Sequence, residues 1–152
     1  MRTIVTPQEV VSLAFVDEGL VTMSKISLTD IAVAESRYLL PLVGEALYEK
    51  LLNGEYESLR DDYVKPMVAL WARYVAEPLL EERLGGGYGD RYTEADVEAR
   101  EVVVVRLRRT ASALSRRLSD YLNAHCEEFV EYNPADNPLN HCVIDGGIVQ
   151  IF

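Results

Sequence analysis

The chain has 152 residues, 49% of them hydrophobic and 26% charged, which fits one folded domain with a core of its own and excludes a disordered chain. Its formal net charge of −10 disfavours nonspecific nucleic-acid binding by the protein as a whole and suits a surface that must not adhere to DNA. No apolar run approaches the ~20 residues of a membrane span, the start lacks the basic and apolar segments of a signal peptide, and two cysteines, Cys126 and Cys142, are too few for a disulfide scaffold, so a reducing cytoplasmic origin is expected.

The first predicted helix begins at a capping box. Thr6 takes the cap, Pro7 the first helical position, and Glu9 stands three residues after the cap. Val10, Val11, Ala14 and Phe15 form its apolar stripe, and Asp17-Glu18-Gly19 ends it. Ser27 opens a second helix, which runs to about Leu40 with Ile31, Ala34, Tyr38 and Leu42 at helical spacing. Pro41 and Gly44 interrupt that pattern and predict a turn. A third helix spans about 44–52 and stops at Asn53-Gly54. The fourth, about 55–84, carries Met67, Leu70, Trp71, Tyr74 and Val75 as the strongest core stripe. Within it Pro66 is placed to open a new segment and Pro78 to kink the helix. Gly85-Gly-Gly-Tyr88-Gly89-Asp90 reads as a connecting loop.

The longest helix is expected to run without interruption over about 94–130, since neither proline nor glycine occurs there. At ~100° per residue, Val103, Leu107, Ala111, Leu114, Leu118, Tyr121, Leu122, His125 and Phe129 share the face expected to be buried. Asn133-Pro134-Ala-Asp136-Asn137-Pro138 is a loop. The β-branched tail over 141–152 reads as a small hairpin or an extended arm. Residues 1–132 thus form a helical bundle and 133–152 a loop with a terminal arm, all within one domain.

The run Glu35-Ser-Arg-Tyr38-Leu-Leu-Pro41-Leu-Val-Gly44-Glu-Ala-Leu-Tyr48-Glu-Lys-Leu-Leu52, followed by Tyr63, Pro66 and Trp71-Ala-Arg-Tyr74, resembles head-tail connector or adaptor (head-completion) proteins of tailed phages, in the versions found in phages and prophages of Bacteroidetes. The likeness covers about 28–84 and is a packing signature without catalytic residues. It implies a subunit of an oligomeric ring between a capsid portal and a tail, with DNA only as cargo in the channel. Its place would be the bacterial cytoplasm, or the virion where phage-encoded.

Outside that run, Arg100, Arg106, Arg108, Arg109, Arg116 and Arg117 crowd one stretch of an acidic protein. Arg106, Arg109, Arg116 and Arg117 share a face about 100° wide, roughly opposite the apolar stripe. An acidic partner, either carboxylates of a second copy or phosphates, would match it. A solvated face paired with local Glu and Asp is the plainer alternative. Val102 and Val105 lie on the same outer face, where valine gains a monomer nothing and has poor helix propensity. Two residue pairs, His125-Cys126 and His141-Cys142, have the inventory of a zinc site but not its spacing, because adjacent helical residues diverge by about 100°. The carboxylate pairs Asp61-Asp62, Glu81-Glu82 and Glu127-Glu128 diverge in the same way and do not suit acid-base catalysis. The glycine loop lacks the G-K-[ST] of a phosphate loop. Tyr56, Tyr88, Tyr92 and Tyr132 sit near loops, where tyrosines can anchor interfaces.

The reading is therefore an all-α irregular bundle of about five helices with a long C-terminal helix and a short terminal hairpin or arm. No enzymatic function, cofactor, metal, membrane or small-molecule substrate is expected. The expected interface residues are Val102, Val105, Arg106, Arg109, Arg116, Arg117, Ile148, Ile151 and Phe152, with the tail as an assembly element. The alternative function is a small helical DNA-packaging or regulatory protein that applies its arginine face to nucleic acid.

Overall fold

A computed structural model describes residues 1–16, 25–83, 94–145 and 148–151, of which 81–83, 94–97, 142–145 and 148–151 are described as backbone only. The described chain is mostly helical. In order it forms α1 (Pro7–Ala14), α2 (Leu28–Ala34), a π-helical turn (Glu35–Leu39), α3 (Leu40–Leu52), α4 (Glu57–Leu59), a second π-helical turn (Arg60–Val64), α5 (Lys65–Arg83) and α6 (Glu94–Ala124). Two 3-10 turns (Pro134–Asp136, Pro138–Asn140) follow, and then the extended segments β1 (Cys142–Asp145) and β2 (Ile148–Ile151). These pair antiparallel, Cys142 opposite Ile151 and Asp145 opposite Ile148. The Gly85–Gly89 loop, Tyr88, Tyr92, Phe152 and the Asp17-Glu18-Gly19 stop lie outside the described residues.

Both capping boxes form. Glu9 N–H donates to the Thr6 hydroxyl while the Thr6 N–H donates to Glu9, and Ser27 and Asp30 repeat the exchange. Such a cap contributes about 1 kcal/mol. Helix count differs from expectation. Among the described residues there are four helical rods, one of them broken within, rather than about five helices. Of the two expected interruptions Pro41 does not end the second rod, whereas Gly44, whose φ of 78° lies in the left-handed region, breaks it between Val43 and Glu45. Nor does Pro66 start a new helix, since it sits inside the rod that begins at Glu57.

Both prolines are absorbed the same way. Each π turn ends two residues before a proline, and the sequence carries Tyr38-x-x-Pro41 and Tyr63-x-x-Pro66 at the matching positions. A proline inside a helix cannot donate to the carbonyl four residues back and its ring crowds that carbonyl. Widening to an i→i+5 bond makes room: Leu40 N–H reaches Glu35 O and Lys65 N–H reaches Arg60 O. Both turns also aim an aromatic ring inward. Tyr38 stacks on Trp71 at 3.7 Å and Tyr63 on Tyr121 at 4.2 Å.

α5 is the central element and packs against α1, α2 and α6. Met67, Val68, Ala69, Trp71, Ala72 and Ala76 are all buried, so this helix is apolar around most of its circumference, as a central helix must be. Arg73 is buried with it. Its Nη1 donates to Ala14 O at 2.7 Å, and its guanidinium lies 4.4 Å from the Phe15 ring. A cation at the C-terminal end of α1 is favoured by the exposed carbonyls and dipole there.

The deepest polar contact joins the first residues to the second rod. Glu35, at the start of the first π turn, is 1% exposed. Its Oε1 accepts the N–H groups of Ile4 and Val5 at 2.7 and 3.2 Å, and its Oε2 accepts the Tyr48 hydroxyl at 2.7 Å. Arg2 Nη2 donates to Leu52 O at 2.8 Å and so binds the C-terminal end of α3. Burial pushes the Glu35 carboxyl above its ordinary value, and the bonds from Tyr48, Ile4 and Val5 pull it back only in part. Burial and this carboxylate together push the Tyr48 hydroxyl upward.

α6 ends at Ala124 rather than near Val130. His125 places its ring nitrogen Nδ1 on Tyr121 O at 2.9 Å, competing for a helical carbonyl. The chain then tightens through Glu128 N–H to His125 O and Tyr132 N–H to Phe129 O. This turn brings Phe129 edge-on to Tyr56 at 5.1 Å. Of the expected buried face, Leu107, Ala111, Leu118, Leu122 and Phe129 are buried, whereas Leu114 and Val103 are only partly so. Ser115 and Ser119 are buried beside them.

Two expectations follow for stability. Leu118→Ala should cost ~2–5 kcal/mol in denaturant unfolding, and Leu114→Ala, at a partly buried position, less than Leu118→Ala. Glu35→Ala should cost on the order of 3 kcal/mol, because it strands two buried N–H groups and the part-buried Tyr48 hydroxyl. A carboxyl whose folded value is raised adds stability that is complete below its unfolded value and is lost as pH rises through the raised one. The stability of wild type minus that of Glu35→Gln, followed by urea unfolding across mildly acidic pH, should therefore fall as pH rises.

Candidate functional site

The outer face of α6 gathers the chain's unbalanced surface. Leu107, Ala111 and Leu118 face the core, so residues half a turn away face outward. Val102 is 58% exposed and Val105 50%. Together with Glu98, Glu101, Arg106, Arg109 and Thr110 they line an open trough, whose lining among the described residues comes from α6. Arg106, Arg108, Arg109 and Arg116 are exposed and make no ion pair among the described residues. The alternative of arginines paired with local carboxylates is therefore not what is found for these four. Arg117 is different: its guanidinium lies 4.7 Å from the Tyr63 ring centroid, so it covers the second π turn.

Further along the same face, α6 meets the first π turn and the C-terminal 3-10 turns in a groove of about 360 Å³. Its cationic lining comes from Arg37, Arg108 and Arg116, and its apolar lining from Tyr38, Pro41, Leu42, Trp71 and Leu139. Trp71 is fixed on two sides, stacked on Tyr38 and donating from Nε1 to Ser115 Oγ at 2.9 Å. The Ser115 hydroxyl donates in turn to Ala111 O at 3.0 Å. Arg37 lies 5.5 Å from the Tyr38 ring centroid. Next to Pro138, the fully buried Asn137 ties the 3-10 turns to α6: its Nδ2 donates to Ser119 Oγ and to the Tyr132 hydroxyl, both at 2.8 Å. No carboxylate lines this groove among the described residues. The arrangement is chemically suited to an anionic group beside an apolar one.

The expected site residues thus divide. Val102, Val105, Arg106, Arg109 and Arg116 come together on one exposed face, and Arg117, exposed as well, lies over the Tyr63 ring at its flank. Ile148 and Ile151 lie in β2, remote in sequence, and their side chains are outside the described residues. Arg37 and Arg108 join the groove without having been singled out. Arg37 was hidden in the apolar run around Tyr38, and Arg108 lies at the edge of the arginine face. Tyr56 and Tyr132, expected as interface anchors, point into their own fold: Tyr56 donates to Glu131 Oε2 at 2.8 Å, and Tyr132 donates to Asn123 Oδ1 at 2.6 Å. His125 and His141 each donate a ring N–H to a backbone carbonyl, Tyr121 O at 2.9 Å and Ala135 O at 2.6 Å.

No helix among the described residues is long and apolar enough to cross a membrane. Comparison with protein-family models, curated proteins and solved structures gave no match.

Trp71 is the single tryptophan, so its fluorescence reports this groove. Ser115→Ala should leave the indole N–H without its acceptor, costing about 1–3 kcal/mol in denaturant unfolding and shifting the native emission. Ser112→Ala, on the exposed side of the groove, should do neither.

Proposed function

We propose that the protein is a structural subunit that acts by self-assembly, in a head-to-tail ring of the kind that joins a phage portal to a tail. The supporting observation is the outer face of α6: four arginines without ion pairs among the described residues and two half-exposed valines, on the helix that also carries the core. A monomer gains nothing from this face. A neighbouring copy offers what it lacks, because the net charge of −10 leaves carboxylates in excess elsewhere. Asp61, Asp62, Glu45, Glu49, Glu127 and Glu128 are exposed on other elements. In a closed ring each copy would present its arginine groove to the acidic surface of the next. The same acidic excess would keep a DNA channel non-adhesive. In this reading the tail, with Ile148, Ile151 and Phe152, supplies a free strand edge for a portal or tail protein.

A second reading has its own support. The groove between Arg37, Arg108 and Arg116 has no carboxylate lining among the described residues, and an aromatic beside cations suits single-stranded nucleic acid. It places the protein among small DNA-packaging or regulatory proteins.

The two readings part on one variant. Arg108→Glu/Arg116→Glu changes only exposed positions, so thermal unfolding should stay within a few degrees of wild type. Sedimentation velocity should show an oligomer for wild type that weakens with added salt and is lost in the variant. Fluorescence anisotropy with labelled DNA should show no salt-sensitive binding. Unchanged mass in the variant, together with salt-dependent DNA binding by wild type, would favour the second reading.

A further inference from the structure

The groove beside Trp71 adjoins a second hollow on α6, of about 550 Å³, lined by Val105, Arg108, Arg109, Ser112, Ala113 and Arg116. The two hollows share Arg108, Ser112 and Arg116. Those three residues are four apart, so they follow one ridge of the helix and step about 40° round it each time. From Arg108 to Arg116 the ridge rises about 12 Å at 1.5 Å per residue. Together the hollows form an elongated channel along α6.

No carboxylate lines either hollow among the described residues. Arg37, Arg108 and Arg116 are exposed and form no ion pair among the described residues. Pairs along a helix form between residues three or four apart. At those spacings Arg37 and Arg108 have no acidic neighbour, and Arg116 has only Asp120, with which it makes no ion pair. The aromatic lining is already engaged. The Tyr38 and Trp71 rings lie 3.7 Å apart and 6° from parallel, so each covers one face of the other. Arg37 lies over Tyr38 at 5.5 Å, and Trp71 meets Tyr74 edge-to-face at 5.4 Å. A nucleobase needs an open ring face to stack on, which weakens the nucleic-acid reading of this groove. Beside Pro41 and Leu139 the rings suit an aliphatic side chain better.

We infer that this channel takes an extended acidic segment of a partner protein, with carboxylates four residues apart and an aliphatic residue midway between them. In an extended chain alternate side chains share one side and each residue advances about 3.3 Å, so the first and fifth residues stand about 13 Å apart. That matches the rise of about 12 Å from Arg108 to Arg116. The two carboxylates meet Arg108 and Arg116 in fork-to-carboxylate pairs, which are among the stronger hydrogen bonds. The aliphatic residue enters beside Ser112, toward Trp71 and Leu139, and Arg37 adds a third cation from the π turn. A patch of Arg, Tyr and Trp without acids has the composition of an interface centre. The inference rests on the proposed function only in taking acidic protein to meet this face. Its occupant is a single extended segment rather than the folded acidic surface of a neighbour.

The test is a peptide panel against the full chain. Each labelled heptapeptide carries glutamate at its second and sixth positions, valine, leucine, isoleucine or methionine at its fourth, and alanine elsewhere. Fluorescence anisotropy at moderate salt should show saturable binding by at least one, and the unlabelled form of that peptide should shift the Trp71 emission. Changing both glutamates to glutamine should abolish binding. Moving the second glutamate to the fifth position, on the other side of an extended chain, should weaken it as much as removing that glutamate. Arg108→Gln and Arg116→Gln, at exposed positions, should each weaken binding about tenfold, the size of one charge-assisted hydrogen bond. Arg106→Gln, which lines neither hollow, should change it less than about twofold. The inference is overturned if no peptide binds below about 1 mM, if the Arg108 and Arg116 variants bind like wild type, or if moving the glutamate changes nothing. It gives way to nucleic acid if labelled oligothymidylate binds more tightly than every peptide and loses that binding in the same variants. Peptide binding by a protein that stays monomeric would remove the head-to-tail reading and keep this one. An oligomer that binds no peptide would do the reverse.

Discussion

The fold depends on a buried carboxylate. Glu35 sits where the second rod widens into a π turn, and from there it holds the chain's first residues and Tyr48 at once. Without it, the N–H groups of Ile4 and Val5 would be buried without acceptors, and such groups are rare in folded proteins because they are costly. Val5 is fully buried under this contact, and Thr6 next to it caps α1. α1 then packs on α5, with Arg73 reaching back to Ala14 O. One acidic side chain therefore sets where the N-terminal segment crosses the bundle and, through it, where α1 docks.

The π turn that presents Glu35 also aims Tyr38 at Trp71. Its twin before Pro66 aims Tyr63 at Tyr121. Two prolines that would break an ordinary helix thus serve to direct two aromatic rings between rods. The first of these stacks forms part of the groove wall next to Arg37, Arg108 and Arg116. Core packing and the candidate surface consequently share residues: Trp71 is held by Ser115 on α6, about one turn from Ser112 and next to Arg116 on the outer side.

Much of this was legible in the sequence where periodicity carries the signal. The buried side of α6, the two capping boxes and the core stripe of α5 all follow from apolar spacing and cap chemistry, and so does the outward placement of Val102, Val105, Arg106, Arg109 and Arg116. What was not legible depends on tertiary partners. Glu35 stands beside Ala34 in an apolar run and reads as a solvent position until the N-terminal segment is seen to cover it. Pro41 reads as a stop because its tolerance rests on a backbone widening that has no sequence mark of its own. The end of α6 at Ala124 coincides with the His125 ring bonding Tyr121 O and with the turn that buries Phe129 and Tyr132, neither of which a break in composition announces. Arg37 and Arg108 became part of the groove only when two rods and the 3-10 turns met.

α6 is thus one helix with two unlike faces, the inner one buried against α5 and the outer one carrying charges without ion pairs among the described residues and exposed valines. The central claim is that other protein covers this outer face. Methyl NMR with a soluble paramagnetic probe reads it directly, using Val130, 85% exposed and away from the trough, as an internal reference. Probe access to the Val102 and Val105 methyls should fall as protein concentration rises while access to Val130 stays constant. If Val102 and Val105 remain as accessible as Val130 at every concentration, the face is solvent-facing in solution and the account of assembly through α6 is wrong.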